Sequence, residues 1–122
     1  MGVILAIDED ASRYTRASRL AKDAGYELMR VSSPTAAERV LSEHHVVAVL
    51  LDFDMPGWTG DYYVQNVIPR RGVAVCVVSR NGPAANKLER MLAARGIEHT
   101  AITAARADSA DAWIAWVEQV DE

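Results

Sequence analysis

Three short apolar runs, at residues 3–7, 46–51 and 73–78, dominate the chain, and each stops abruptly at a polar side chain. Runs of this length, nearly continuous in Val, Ile, Leu and Ala, are expected for strands buried on both faces of a parallel sheet. Helix-length segments separate them. Ser12 is a candidate cap for a helix running to about Ala24, with Gly25 placed to end it. The segment from Tyr26 to Val31 reads as a second, more polar strand nearer a sheet edge. Ser33 and Pro34 mark the start of a helix through about Glu43, because serine caps and proline suits the first helical position. Further helices are predicted over about 60–67, 84–94 and 109–120, with a last strand at 97–102. This is a β-α unit repeated five times. Such alternation implies one α/β domain over residues 1–122, with a parallel sheet covered by helices through right-handed crossovers.

Composition narrows the function classes. The net charge of -4 argues against a direct nucleic-acid binder, which would present a basic face. No apolar run has the length of a membrane span. The single cysteine, Cys76, has no internal partner for a disulfide and is expected to be buried and chemically quiet. The first residues lack the basic flank and cleavage site of a signal peptide, so a cytoplasmic setting is expected.

In open parallel sheets, ligands bind beyond the carboxyl ends of the strands, where the strand order reverses. At those ends the first strand delivers Asp8, Glu9 and Asp10, the third delivers Asp52 and Asp54, and the fourth delivers Ser79. A lone acid after a strand is ordinarily a cap or a solvated loop residue. Two acidic clusters after two buried strands point instead to a shared pocket. Converging carboxylates repel one another unless a cation joins them. Magnesium suits, since it takes one or two carboxylates and keeps waters for a phosphoryl group. An aspartate beside it can act as a nucleophile and form an acyl phosphate, with Ser79 hydrogen-bonding a phosphoryl oxygen.

These residues carry a resemblance. The acidic end Ile7-Asp8-Glu9-Asp10, the run Asp52-Phe53-Asp54-Met55-Pro56-Gly57 and the strand end Val77-Val78-Ser79-Arg80 are similar to the receiver domains of bacterial two-component response regulators. The resemblance covers the whole chain. It implies a flavodoxin-like, doubly wound fold with five parallel strands in the order 2-1-3-4-5 and five helices. It implies that Asp52 accepts a phosphoryl group from a sensor histidine kinase or phosphotransfer protein. It also implies a magnesium site at Asp8, Glu9, Asp52 and the backbone carbonyl of Asp54, and a switching role for Ser79. Such a domain is not an enzyme beyond its own phosphotransfer and dephosphorylation. Its output partner, or a second copy in a homodimer, would dock on the last two helices and the fifth strand.

The sequence departs from the family twice. Thr103-Ala104 stands where the family has lysine and proline after the fifth strand, and Arg106 is the nearest basic residue that could reach back. Thr100, or His99 in a shifted register, replaces the family's aromatic switch residue. A second reading follows: a degenerate receiver that keeps the fold and acts as a phosphorylation-independent interaction module. A third, a small phosphatase resembling the haloacid dehalogenases at Asp52-Phe53-Asp54, conflicts with the motif's place after the third strand. Of the two tryptophans on the last helix, Trp113 and Trp116, one is expected in the core and the other exposed. Trp58 could gate the pocket.

Overall fold

The computed structural model describes residues 2–52, 60–68, 73–80 and 82–121. Five strands, β1 (Gly2–Ile7), β2 (Tyr26–Val31), β3 (Val46–Asp52), β4 (Ala74–Ser79) and β5 (His99–Thr103), form one parallel sheet in the order β2-β1-β3-β4-β5. This is the flavodoxin-like order expected from the sequence. Five principal helices connect or follow them: α1 (Thr15–Asp23), α2 (Pro34–Glu43), α3 (Gly60–Asn66), α4 (Gly82–Ala94) and, last in the chain, α6 (Ala110–Val120). A one-turn helix, α5 (Ala104–Ala107), precedes α6, and a 3-10 turn at Ala11–Tyr14 leads into α1.

The pleat divides the apolar strand residues between two cores, because successive side chains point to opposite faces. Val3, Leu5, Ile7, Val49, Leu51, Val75 and Val77 meet buried residues of α2, α3 and α4 on one face. Ile4, Ala6, Ala48, Leu50, Cys76 and Val78 meet α1 and α6 on the other. A strand buried on both sides must be apolar, and β1, β3 and β4 are, up to the terminal Asp52 of β3 and Ser79 of β4. The more polar β2 lies at the sheet edge, where its Glu27 and Arg30 side chains stay exposed. Trp113 is buried in the α6 core and Trp116 only partly so.

Helix ends follow local chemistry. The Ser33 hydroxyl accepts from Ala36 N at 3.2 Å with Pro34 in the first turn, as its sequence predicts. Asp10, not Ser12, caps the turn after β1: its carboxylate accepts from Ser12 N. Gly25 and Gly96 close α1 and α4 with φ of 94° and 69°, the left-handed region where a Cβ is costly. At the end of α4, Ile97 N donates to Leu92 O and Gly96 N to Ala93 O. That capping motif commits the Ile97 amide to the helix, so β5 starts at His99 rather than at the expected residue 97. No helix among the described residues is long and apolar enough to cross a membrane.

Candidate functional site

The chain leaves β1 for β2 on one side of the sheet and reaches β3 on the other. The carboxyl ends of β1 and β3 therefore flank the crevice where strand order reverses. Ile7 pairs with Leu51, so Asp8 and Asp52 follow side by side. Asp52 pairs with Val78, which brings Ser79 to the next strand end, and Ser79 pairs with Thr103. The topology thus assembles four of the sequence-derived site residues along one edge. Asp8 and Ser79 are the buried polar residues there, Asp52 is half-buried, and Glu9 and Thr103 are exposed. Asp54 and Trp58 lie outside the described residues.

The Asp8 carboxylate, 1% exposed, is enclosed by donors. Its Oδ1 accepts from Asp10 N at 2.8 Å. Its Oδ2 accepts from the Arg13 guanidinium at 2.8 Å and from the Tyr14 hydroxyl at 2.8 Å. Arg30 donates to the Asp8 backbone carbonyl at 3.0 Å. The 3-10 turn explains why residues five and six positions on can reach back over the strand end: it folds the chain sharply after Asp10 and lays Arg13 and Tyr14 above Asp8. Arg13 is shared, its Nε donating to Asp108 Oδ1 at 3.0 Å. Its side chain is only 9% exposed. Burial is the largest single influence and opposes its charge, but the Asp8 carboxylate, Tyr14 and Asp108 together outweigh it and hold the guanidinium above its usual pKa. Burial first, and then the Asp8 charge, push the Tyr14 phenol far above its usual range, so it remains a neutral donor.

The other acids are arranged differently. Asp10 is bound to the backbone and hydroxyl of Ser12, and the Ser12 hydroxyl holds its carboxyl below the usual range. Glu9 points into solvent. A divalent cation needs oxygen lone pairs that are free to face it. Both Asp8 oxygens already accept, one from a guanidinium, and no group of three or more acidic, His or Cys residues among those described is placed to hold a metal. As they stand, the described residues do not fit a magnesium ion.

At the β4–β5 end, Ser79, Arg80, Asn86, Thr103 and Arg106 line a cavity of 230 Å³ that runs along α4. Arg106 lines the same cavity as Ser79. Thr103 accepts from Arg106 N at 3.3 Å and caps α5. Thr100 sits mid-strand opposite Cys76. His44 and His45 are exposed and belong to no metal-holding group among the described residues. Asp108, an acid that a phosphatase reading would need, is paired with Arg13.

Arg13 and Tyr14 are the site residues that sequence reasoning misses. They sit in an ordinary polar helix start, and only their spacing after Asp8 hints at a return contact.

No family model and no curated protein sequence matches the chain. Solved structures do. The chemotaxis protein CheY4 of Vibrio cholerae is 19% identical with a TM-score of 0.77, over 98% of this chain and 98% of that one. The receiver domain of the TMAO respiratory system response regulator TorR is 14% identical with a TM-score of 0.77, over 98% and 96%. A CheY-like receiver domain protein from Methanospirillum hungatei JF-1 is 15% identical with a TM-score of 0.75, over 99% and 94%. Across nearly its entire length, the chain has the fold of the response-regulator receiver domains.

Proposed function

We propose that this chain is a receiver-type signalling module that acts by protein contact and does not depend on magnesium-assisted phosphorylation. The observation that carries this reading is at the end of β5. The receiver fold is complete there, yet the residue next to Ser79 is Thr103, and its hydroxyl is spent on capping α5. Phosphoryl transfer relies on cations that neutralise charge on the transferring group. Thr103 supplies none, and the planar fork of Arg106 is no equivalent of a lysine point charge. The module would work in the cytoplasm, with its partner surface on α4, β5 and α6. Trp116 is half-buried on α6 and offers an amphipathic anchor for a partner or a second copy.

A second reading, acceptance of a phosphoryl group on Asp52 from a sensor histidine kinase or phosphotransfer protein, draws support from one feature. Asp52 and the buried Ser79 end neighbouring strands, as a nucleophile and a phosphoryl contact would. Intact mass after incubation with acetyl phosphate and magnesium separates the two, with Asp52→Asn alongside. An unmodified, folded wild type supports the interaction module. A single phosphoryl adduct on the wild type that Asp52→Asn abolishes overturns it.

A further inference from the structure

We propose that Arg13 is a built-in cation: its guanidinium takes over the charge-neutralising role at Asp8 that a divalent metal would have, and so excludes that metal. The inference deepens the reading of a phosphorylation-independent module but stands on a different part of the pocket.

A carboxylate buried to 1% exposure needs a compensating charge and a full set of donors. Asp8 has both without any ion. Arg13 supplies the charge at 2.8 Å, and Tyr14 and Asp10 N supply the remaining hydrogen bonds at 2.8 Å each. Charge-assisted contacts of this kind are the strong ones. The guanidinium is also held from behind. Its Nε donates to Asp108, so two carboxylates on separate elements orient one planar group. A divalent ion approaching Asp8 would meet a positive charge already in place. To bind, it would have to displace Arg13 from Asp8.

The same arrangement has a structural consequence. Through Asp108, Arg13 ties the end of β1 to the corner between α5 and α6. An ion that displaced Arg13 would also loosen that corner, next to the helix proposed to meet the partner. Arg13 is thus a positioning residue for both the acidic pocket and the last helix.

The test is a titration of the full chain with magnesium chloride at constant ionic strength and without any phosphodonor. It is read by intrinsic tryptophan fluorescence and by thermal unfolding, so its outcome is separate from that of the acetyl phosphate experiment. Wild type is expected to show neither a saturable response nor a rise in Tm. Arg13→Gln is expected to bind magnesium at least about tenfold more tightly than wild type and to gain Tm with it. Adding Asp8→Asn to Arg13→Gln should remove that gain. Wild type binding magnesium as tightly as Arg13→Gln overturns the proposal, and so does an Arg13→Gln protein that gains nothing. If Arg13→Gln does not fold, wild type against Asp8→Asn decides: a saturable magnesium response in wild type that Asp8→Asn removes overturns the proposal, and its absence supports it.

Discussion

Replacing Asp8 with Asn tests whether the acidic pocket is a store of repulsion or a satisfied network. The substitution is nearly isosteric, so packing against β2 and the 3-10 turn is kept. It removes the negative charge and exchanges one acceptor oxygen for an NH2 donor. The native carboxylate accepts three hydrogen bonds on two oxygens. Whichever way the amide turns, its NH2 faces a donor: Asp10 N on one side, the Arg13 guanidinium and Tyr14 hydroxyl on the other. Losing a hydrogen bond to a charged group costs about 1.5–3 kcal/mol. Removing one partner of a buried ion pair costs about 3–5 kcal/mol. Arg13 keeps its second carboxylate, Asp108, although that side chain is 66% exposed and screened. The lower end of the range therefore applies, and a loss of about 3 kcal/mol is expected. Against a total of about 5–15 kcal/mol for a small domain, that is a large fraction. Urea unfolding followed by tryptophan fluorescence and far-UV circular dichroism measures it, with the m-value unchanged if only stability moves. In a double-mutant cycle with Arg13→Gln, the second substitution should cost less than it does alone, by about 1–3 kcal/mol. A pocket of mutually repelling carboxylates predicts the opposite sign, because neutralising one acid relieves the others. An Asp8→Asn protein as stable as wild type, or more so, would refute the clamp.

Other expectations follow from burial. Trp113 is 1% exposed and its indole N donates to Ala107 O at 3.1 Å, so Trp113→Ala should cost about 3–5 kcal/mol and loosen α6, seen as a lower urea midpoint. Trp116→Ala, at a half-buried position, should cost clearly less; equal losses would count against the assigned core. Burial, with a smaller contribution from Glu89, pushes the Cys76 thiol up to about 12, so alkylation near neutral pH should proceed only through unfolding. A native labelling rate matching that of the denatured chain would contradict this. Burial also raises Tyr63 from 10.0 to about 12. A folded-state pKa above the unfolded one contributes stability that is fully present below pH 10 and is lost as pH rises toward 12. Two pH units correspond to about 3 kcal/mol. Chemical unfolding across that window should show the decline, whereas flat stability would mean that Tyr63 is not sealed from water.

Much of the fold is written in local pattern. Apolar runs buried on two faces read as strands, Ser33 with Pro34 reads as a helix start, and Gly25 and Gly96 read as helix ends. Each of these signals acts through neighbours in the chain and survives into the structure. Where the reading misses, competing local chemistry decides. Asp10 captures the cap that Ser12 could have made, the α4 capping motif holds Ile97 back from β5, and Thr103 nucleates a turn of helix that no apolar periodicity announces. The convergence of Asp8, Asp52 and Ser79 was legible because acids and a serine at the ends of buried parallel strands have only one edge of the sheet to occupy. What the acids do there was not. Paired carboxylates can be relieved by a metal or by a fixed side-chain cation, and the residue types at the strand ends are the same in either case. Only the folded chain brings Arg13 over Asp8 and reaches 95 residues further to Asp108, since that contact depends on the 3-10 turn and on α6 packing beside α1.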